Sequence, residues 1–191
     1  GSRAIQRRAL CNDYKAIARD YRMCGMRPAS SGAVAVGKIL GLLSHTPATA
    51  MPLVNGLPDA RWLHLYTEAS RLAFADRDQY IADPDFVQAP SGSWMSLLEP
   101  RYSAERARLI GPVRMTTAAA GTPGAVKTSY APMAEQPEHG TSHISIVDAD
   151  GNALAMTSTI ENAFGSRQMV KGFLLNNELT DFSFAPRDAE D

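Results

Sequence analysis

The spacing of apolar residues changes along this chain, from steps of three and four in its first part to strict alternation after Thr141. Trp62, Leu65, Tyr66, Ala69, Leu72, Ala73 and Asp76 follow the longer steps and predict a helix over about Asp59 to Tyr80. Within it, Glu68 and Arg71 sit one turn apart and are placed to pair. A shorter helix runs through Val34, Ile39, Leu40, Leu42 and Leu43, with the hydroxyls of Ser30 and Ser31 available as caps. His45-Thr46-Pro47 ends it, because proline disfavours the helical region at the residue before it. Asp83-Pro84-Asp85 closes the longer helix, Pro52 to Asp59 is a loop, and residues 91–110 hold one or two short helices. Residues 1–27 show no clear period.

Gly111 to Gly140 carries four prolines, many small residues and little apolar pattern. A connection of this length without elements of its own is commonly functional or disordered. It leads straight to Thr141, as an exposed, cleavable linker would. Beyond Thr141 the period is two. Ile144 and Ile146 alternate with His143, Ser145 and Val147, and Leu154, Met156 and Ile160 alternate with Ala153, Ala155, Thr157 and Thr159. Ala149-Asp150-Gly151 lies between the two runs, a three-residue hairpin loop with glycine where a left-handed residue is needed. A loop centred on Asp150 pairs residues whose numbers sum to 300, so Thr141 faces Thr159. Opposed side chains have Cβ atoms about 4.5–5.5 Å apart, which puts the two hydroxyls within hydrogen-bond reach. Glu161 is expected on the same face, one step further.

Composition adds bounds. At 191 residues, 45% hydrophobic and 20% charged, the chain has the length of one domain with a real core. A net charge of −1 gives no reason to expect nucleic acid, and no apolar run reaches the roughly 18 residues of a membrane helix. Cys11 and Cys24 are too few for a disulfide framework or a metal knuckle; a single bridge and two free thiols both remain open. Gly1-Ser2 reads as a cloning remnant, and nothing resembling a signal peptide follows it. His139 and His143 flank Thr141 without a third ligand or an orienting carboxylate, so no metal is expected. The Asp148 to Asn152 turn has Thr159 rather than glutamate at the twelfth position of a calcium loop.

A threonine hydroxyl is a weak nucleophile until a base adjoins it, and a free α-amine on the same residue is such a base. An exposed Gly140–Thr141 bond ahead of a strand therefore suggests self-cleavage. The Thr141 hydroxyl attacks the Gly140 carbonyl, hydrolysis frees the Thr141 amine, and the new N-terminus becomes the catalytic nucleophile. Thr159 is expected to orient or polarise it.

The runs Thr141-Ser142-His143-Ile144-Ser145-Ile146-Val147-Asp148, Asp150-Gly151-Asn152, Thr157-Ser158-Thr159, Phe164-Gly165-Ser166, Leu174-Leu175-Asn176-Asn177-Glu178 and Asp181-Phe182-Ser183 together resemble the γ-glutamyltransferases. Upstream, Pro28-Ala29-Ser30-Ser31-Gly32 and the stretch from Ala75 to Phe86 match as well, so the likeness covers about residues 20–186. It implies an α+β fold, part of a four-layer αββα sandwich of the N-terminal nucleophile hydrolase type. Residues 1–140 would then end the large subunit, with 111–140 as a flexible linker, and 141–191 would begin the small one. It also implies Thr141 as nucleophile, Thr159 as its hydrogen-bond partner, and Asp181 holding the α-amino group of a γ-glutamyl substrate with Glu178 beside it. An amino acid or peptide is the implied acceptor, no cofactor is called for, and the implied location is periplasmic or extracellular.

The chain departs from that pattern at three places. Glu161 stands where the family commonly carries an asparagine that contacts substrate. Ser142 replaces a frequent threonine, and the usual Pro-Pro-Pro-Ser-Ser-Gly-Gly reads Arg27-Pro28-Ala29-Ser30-Ser31-Gly32-Ala33. Glu161 keeps open a related amidase, such as a glutaryl or cephalosporin-type acylase, and a non-catalytic binding domain of the same fold is a further alternative. The family's substrate-carboxylate arginine precedes residue 1, and its oxyanion-hole glycines follow Asp191. Each oxyanion donor is worth roughly 3–4 kcal/mol, so this chain by itself is expected to be inactive.

Overall fold

Two antiparallel strands, β1 (Leu10–Lys15) and β2 (Asp20–Gly25), place Cys11 opposite Cys24, and a disulfide joins them. Of the two readings left open by the sequence, the bridge is the one realised. The computed structural model describes residues 10–15, 20–28, 30–125, 130 and 140–177. Of these, the residues up to 130 form one unit and 140–177 a second. Helices and small antiparallel sheets make the described residues α+β.

Helix α1 (Gly32–Leu43) follows β2 closely. A Cβ on Gly25 would lie 2.7 Å from the Ala33 Cβ, so glycine lets the strand end meet the helix start. Ser31 is the N-cap residue, but its hydroxyl does not cap. Its backbone is already helical, which turns the oxygen away from the first-turn N–H groups. The hydroxyl instead accepts from Arg77 Nε at 3.0 Å.

A 3-10 turn (Pro47–Ala50) leads towards α2 (Ala60–Tyr80), where the Asp59 carboxylate accepts the Trp62 N–H at 2.7 Å. The helix stops where Ile81 turns extended, two residues before Asp83. Two further 3-10 turns (Pro90–Gly92 and Trp94–Leu98) precede α3 (Pro100–Ala107). Ile39, Leu42 and Leu43 of α1 bury against Leu65, Ala69, Leu72 and Ala73 of α2, and the two alanines allow close approach. Val34, Tyr80, Leu97, Leu98, Tyr102 and Tyr130 form a second cluster. Tyr66, expected on the apolar face, is exposed and stacks on Trp62 with ring centroids 5.4 Å apart. No helix among the described residues is long and apolar enough to cross a membrane.

Residues 111–125 have no regular structure, as the sequence suggests, yet they are bound rather than loose. Glu68, buried in α2, accepts the Met115 N–H at 2.7 Å and pairs with Arg71 at 3.1 Å. Burial opposes ionisation of Glu68, but the Met115 N–H and Arg71 outweigh it and hold the carboxyl below its usual range. Arg71 also donates to the Met115 and Thr116 carbonyls. One turn and a half along the same helix, Asp76 accepts the Gly121 N–H at 2.9 Å, Arg106 donates to the Ala119 carbonyl at 2.6 Å, and Tyr80 donates to the Gly121 carbonyl. The segment is laid down on buried charges of α2 and α3. Residues 126–129 and 131–139 of the expected linker lie outside the described residues.

Lys38 completes this charged cluster. It lies 3.5 Å from Asp76 and over the Tyr102 ring at 3.6 Å, while Arg106 reaches Asp76 at 3.1 Å. Burial, more than the neighbouring Arg106, lowers the Lys38 pKa to about 8 although Asp76 works against the shift. Below about pH 8 the lysine is charged both folded and unfolded, and its burial carries the full cost. Between about 8 and 10.5 only the unfolded chain keeps the proton, so stability rises with pH at up to about 1.4 kcal/mol per unit. We expect denaturant unfolding of the full-length protein to show this rise, and Lys38→Met to remove it. Parallel profiles for the two proteins from pH 7 to 10 would count against the assignment.

Candidate active site

The second unit is built on one hairpin, β3 (Ser142–Val147) and β4 (Ala153–Ser158). Its register is the expected one, with Val147 opposite Ala153, Ser145 opposite Ala155 and His143 opposite Thr157. The turn explains why. The Asp148 carboxylate accepts the N–H groups of Asp150 and Asn152 and the Asn152 amide, and Gly151 takes the left-handed conformation, φ +84°. These bonds, led by the Asn152 side chain, hold the Asp148 carboxyl below its usual range. A one-residue slip would break all of them and turn every side chain over.

Strand pairing ends at Ser142 and Ser158, just short of the candidate nucleophile. Thr141 is exposed, and Gly140 before it has open space where a Cβ would stand. Thr159 meets Gly140, not the Thr141 hydroxyl that was expected as its partner. Its Oγ1 accepts the Glu161 N–H at 2.9 Å and points its proton at the Gly140 carbonyl oxygen, 3.4 Å away. A hydroxyl has one proton to give, and here the carbonyl receives it. At 3.4 Å the contact is long for an O–H···O bond.

The same turn moves Glu161 off the strand. The expected step along the hairpin face does not occur, because Glu161 is left-handed, φ +69°, and begins a loop half-buried against residues 175–177. The Asn162 N–H donates to Asn177 Oδ1 at 3.1 Å, the Ser166 N–H to the Leu175 carbonyl at 2.9 Å, and the Leu175 N–H to the Gln168 carbonyl at 2.9 Å. Gly165 is buried with φ +52°, and any Cβ there would strike the Leu175 carbonyl. A tight hairpin of β5 (Met169–Val170) and β6 (Phe173–Leu174) brings the chain back. Residue 177, which directly precedes Glu178, therefore touches the residue after Glu161. Glu178, Asp181 and His139 themselves lie outside the described residues. The side chain that fastens this loop is Asn177, a role that no periodicity marks in the sequence.

A family model described as gamma-glutamyltranspeptidase matches residues 3–190. The glutathione hydrolase proenzyme of Pseudomonas aeruginosa is 38% identical over 159 residues, 82% of this chain and 26% of that protein. The glutathione hydrolase proenzyme of Escherichia coli K12 is 32% identical over 186 residues, 96% of this chain and 29% of that one. An acylase, the ACY 1 proenzyme of Pseudomonas sp. strain V22, is 31% identical over 88% of this chain and 27% of its own length. The crystal structure of Helicobacter pylori gamma-glutamyltranspeptidase is 27% identical with a TM-score of 0.46, covering 56% of this chain and 28% of that one. The chain thus spans between a quarter and a third of the relatives it matches. From residue 3 to residue 190, it belongs to the gamma-glutamyltranspeptidase family.

Proposed function

We propose that the full-length protein is a self-processing γ-glutamyl acyltransferase and hydrolase whose nucleophile is Thr141. The observation that carries this reading is the Thr159 hydroxyl directed at the Gly140 carbonyl, beside an exposed threonine at the end of a register-locked hairpin. In the precursor the Thr141 oxygen attacks that carbonyl and the Gly140–Thr141 amide becomes an ester. The Thr159 proton supports the negative charge that develops on the carbonyl oxygen, and the long contact shortens as it does so. Water then cleaves the ester, leaving a carboxylate on Gly140 and a free amine on Thr141.

In the mature form the amine accepts the proton of its own hydroxyl, and the oxygen attacks the γ-carbonyl of a glutathione-like amide. The departing amine takes the proton, and the acyl-enzyme passes to water or to an amino acid or peptide. Asp181, with Glu178 beside it, binds the substrate α-ammonium, and Glu161 borders the same pocket. On this reading residues 1–140 belong to a large subunit and 141–191 to a small one, in a four-layer αββα sandwich. Names of relatives as glutathione hydrolase proenzymes support it, and the Cys11–Cys24 disulfide supports an oxidising compartment.

Intact mass of the full-length protein tests the first half: two chains dividing between Gly140 and Thr141 are expected, and a stable single chain would refute it. Turnover of γ-glutamyl and glutaryl anilides tests the second. Glu161, a carboxylate that disfavours the glutamyl α-carboxylate, favours an amidase for non-glutamyl acyl groups as the second reading, and cleavage of the glutaryl compound alone would select it. Thr159→Val keeps the shape and removes the donor. It is expected to slow processing about 10²-fold, as loss of one oxyanion donor does. Processing at the unaltered rate would take Thr159 out of the chemistry.

A further inference from the structure

His143 is used by none of these steps, yet both of its ring nitrogens are engaged. Nδ1 lies 2.8 Å from Thr157 Oγ1 and Nε2 lies 3.1 Å from Ser145 Oγ. An exposed imidazole is ordinarily left to water, so two short contacts to hydroxyls on one strand face mark a fixed ring. Both nitrogens face hydroxyls other than that of Thr141.

The hairpin's bonding pattern gives this contact its place. The Asp148 N–H donates to the Asn152 carbonyl, which makes residues 148 and 152 a hydrogen-bonded pair. Such pairs alternate with non-hydrogen-bonded ones in an antiparallel ladder, so 146 with 154, 144 with 156 and 142 with 158 carry backbone bonds. The pairs 143 with 157 and 141 with 159 do not. At those two positions only side chains tie the strands together, and both do so: His143 to Thr157, and Thr159 to the Gly140 carbonyl. The last backbone-bonded pair, Ser142 with Ser158, is thus clamped on both sides. Strand ends open easily, and this one ends where the scissile bond begins.

We infer that His143 is a positioning residue for the Thr141 reaction, acting through Thr157. Its bond to Thr157 keeps the end of the hairpin closed, and so holds the Thr159 donor against the Gly140 carbonyl before cleavage and beside the Thr141 oxygen after it. The inference rests on Thr141 being the nucleophile.

The test follows the rate of conversion to two chains by intact mass, in the full-length protein. Thr141→Ala serves as the control for the nucleophile. His143→Ala and Thr157→Val are each expected to slow processing by about tenfold, the scale of one net hydrogen bond. The double variant is expected to be no slower than either single one, because both remove the same contact. His143→Asn places an amide where Nδ1 stands, keeps the bond to Thr157, and is expected to return the rate to within about threefold of the unaltered protein. In the processed enzyme kcat should fall with KM unchanged, and Asn should restore it, a pattern that a general loss of fold would not produce. His143→Asn as slow as His143→Ala, with Thr157→Val at full rate, would overturn the inference and make the imidazole a base. Full-rate processing by His143→Ala would also overturn it, with the Thr141 reading intact. Division of the Thr141→Ala control at the normal rate would sink both.

Discussion

Thr141→Ala in the full-length protein is expected to leave one uncut chain and no measurable acyl transfer. On the proposed mechanism both activities are lost together, because both use the same oxygen, first on the Gly140 carbonyl and then on substrate. The catalytic amine also fails to appear, since it exists only after the bond opens. Removal of a nucleophile costs on the order of 10⁶ in kcat where it has been isolated from binding. The neighbouring Ser142 offers no rescue: successive side chains of a strand point to opposite faces, so its hydroxyl projects away from Thr159. Thr141→Ser, which keeps the oxygen on the correct face, should still divide. Intact mass of the three proteins during incubation checks this, and two chains from Thr141→Ala would show that the cut is made by another group.

Asp76→Ala is expected to destabilise the protein by about 3–5 kcal/mol, the cost of breaking a buried ion pair from one side. Asp76 is 1% exposed and is the shared counter-charge of Lys38 and Arg106, as well as the acceptor of the Gly121 N–H. Without it two cations remain buried together and a backbone donor is orphaned. Asp76→Asn preserves shape and an acceptor but not charge, so most of the loss should persist. The denaturant midpoint gives the total, and hydrogen exchange at Gly121 reports whether the segment at 115–121 has come away. A loss below about 1 kcal/mol would mean that water reaches this cluster and screens it.

Elements that declare themselves through side chains were readable in advance. α2 was visible because Leu65, Ala69, Leu72 and Ala73 repeat along one face and Asp59 stands at the cap. The hairpin register followed from the loop Ala149-Asp150-Gly151, with glycine at the left-handed position. The segment 111–125 was opaque because it is held by its backbone, and every residue has the same N–H and C=O to offer. Lys38, Glu68 and Arg106 look like surface residues in sequence; only their mutual placement shows that they are buried. The strands at Leu10–Lys15 and Asp20–Gly25 are mostly polar, and nothing in their spacing distinguished a cross-strand cystine from two separate thiols. Counting along the hairpin set Thr159 one step beyond the last pair, Ser142 with Ser158, but not its bond to the Gly140 carbonyl. The turn of Glu161 was hidden, because a left-handed glutamate has no signature in sequence.

Tyr130 sets a limit on what the proposed cleavage would release. Its hydroxyl donates to the Gln88 carbonyl at 2.6 Å, its own carbonyl accepts from Gln79, and its ring meets Tyr80 edge-on at 5.2 Å. On the proposed cleavage, a carboxylate formed on Gly140 would stay covalently joined to Tyr130 ten residues upstream, at most about 36 Å of chain away. The proposed cut would therefore leave a chain end still joined to this anchor, not a freed peptide.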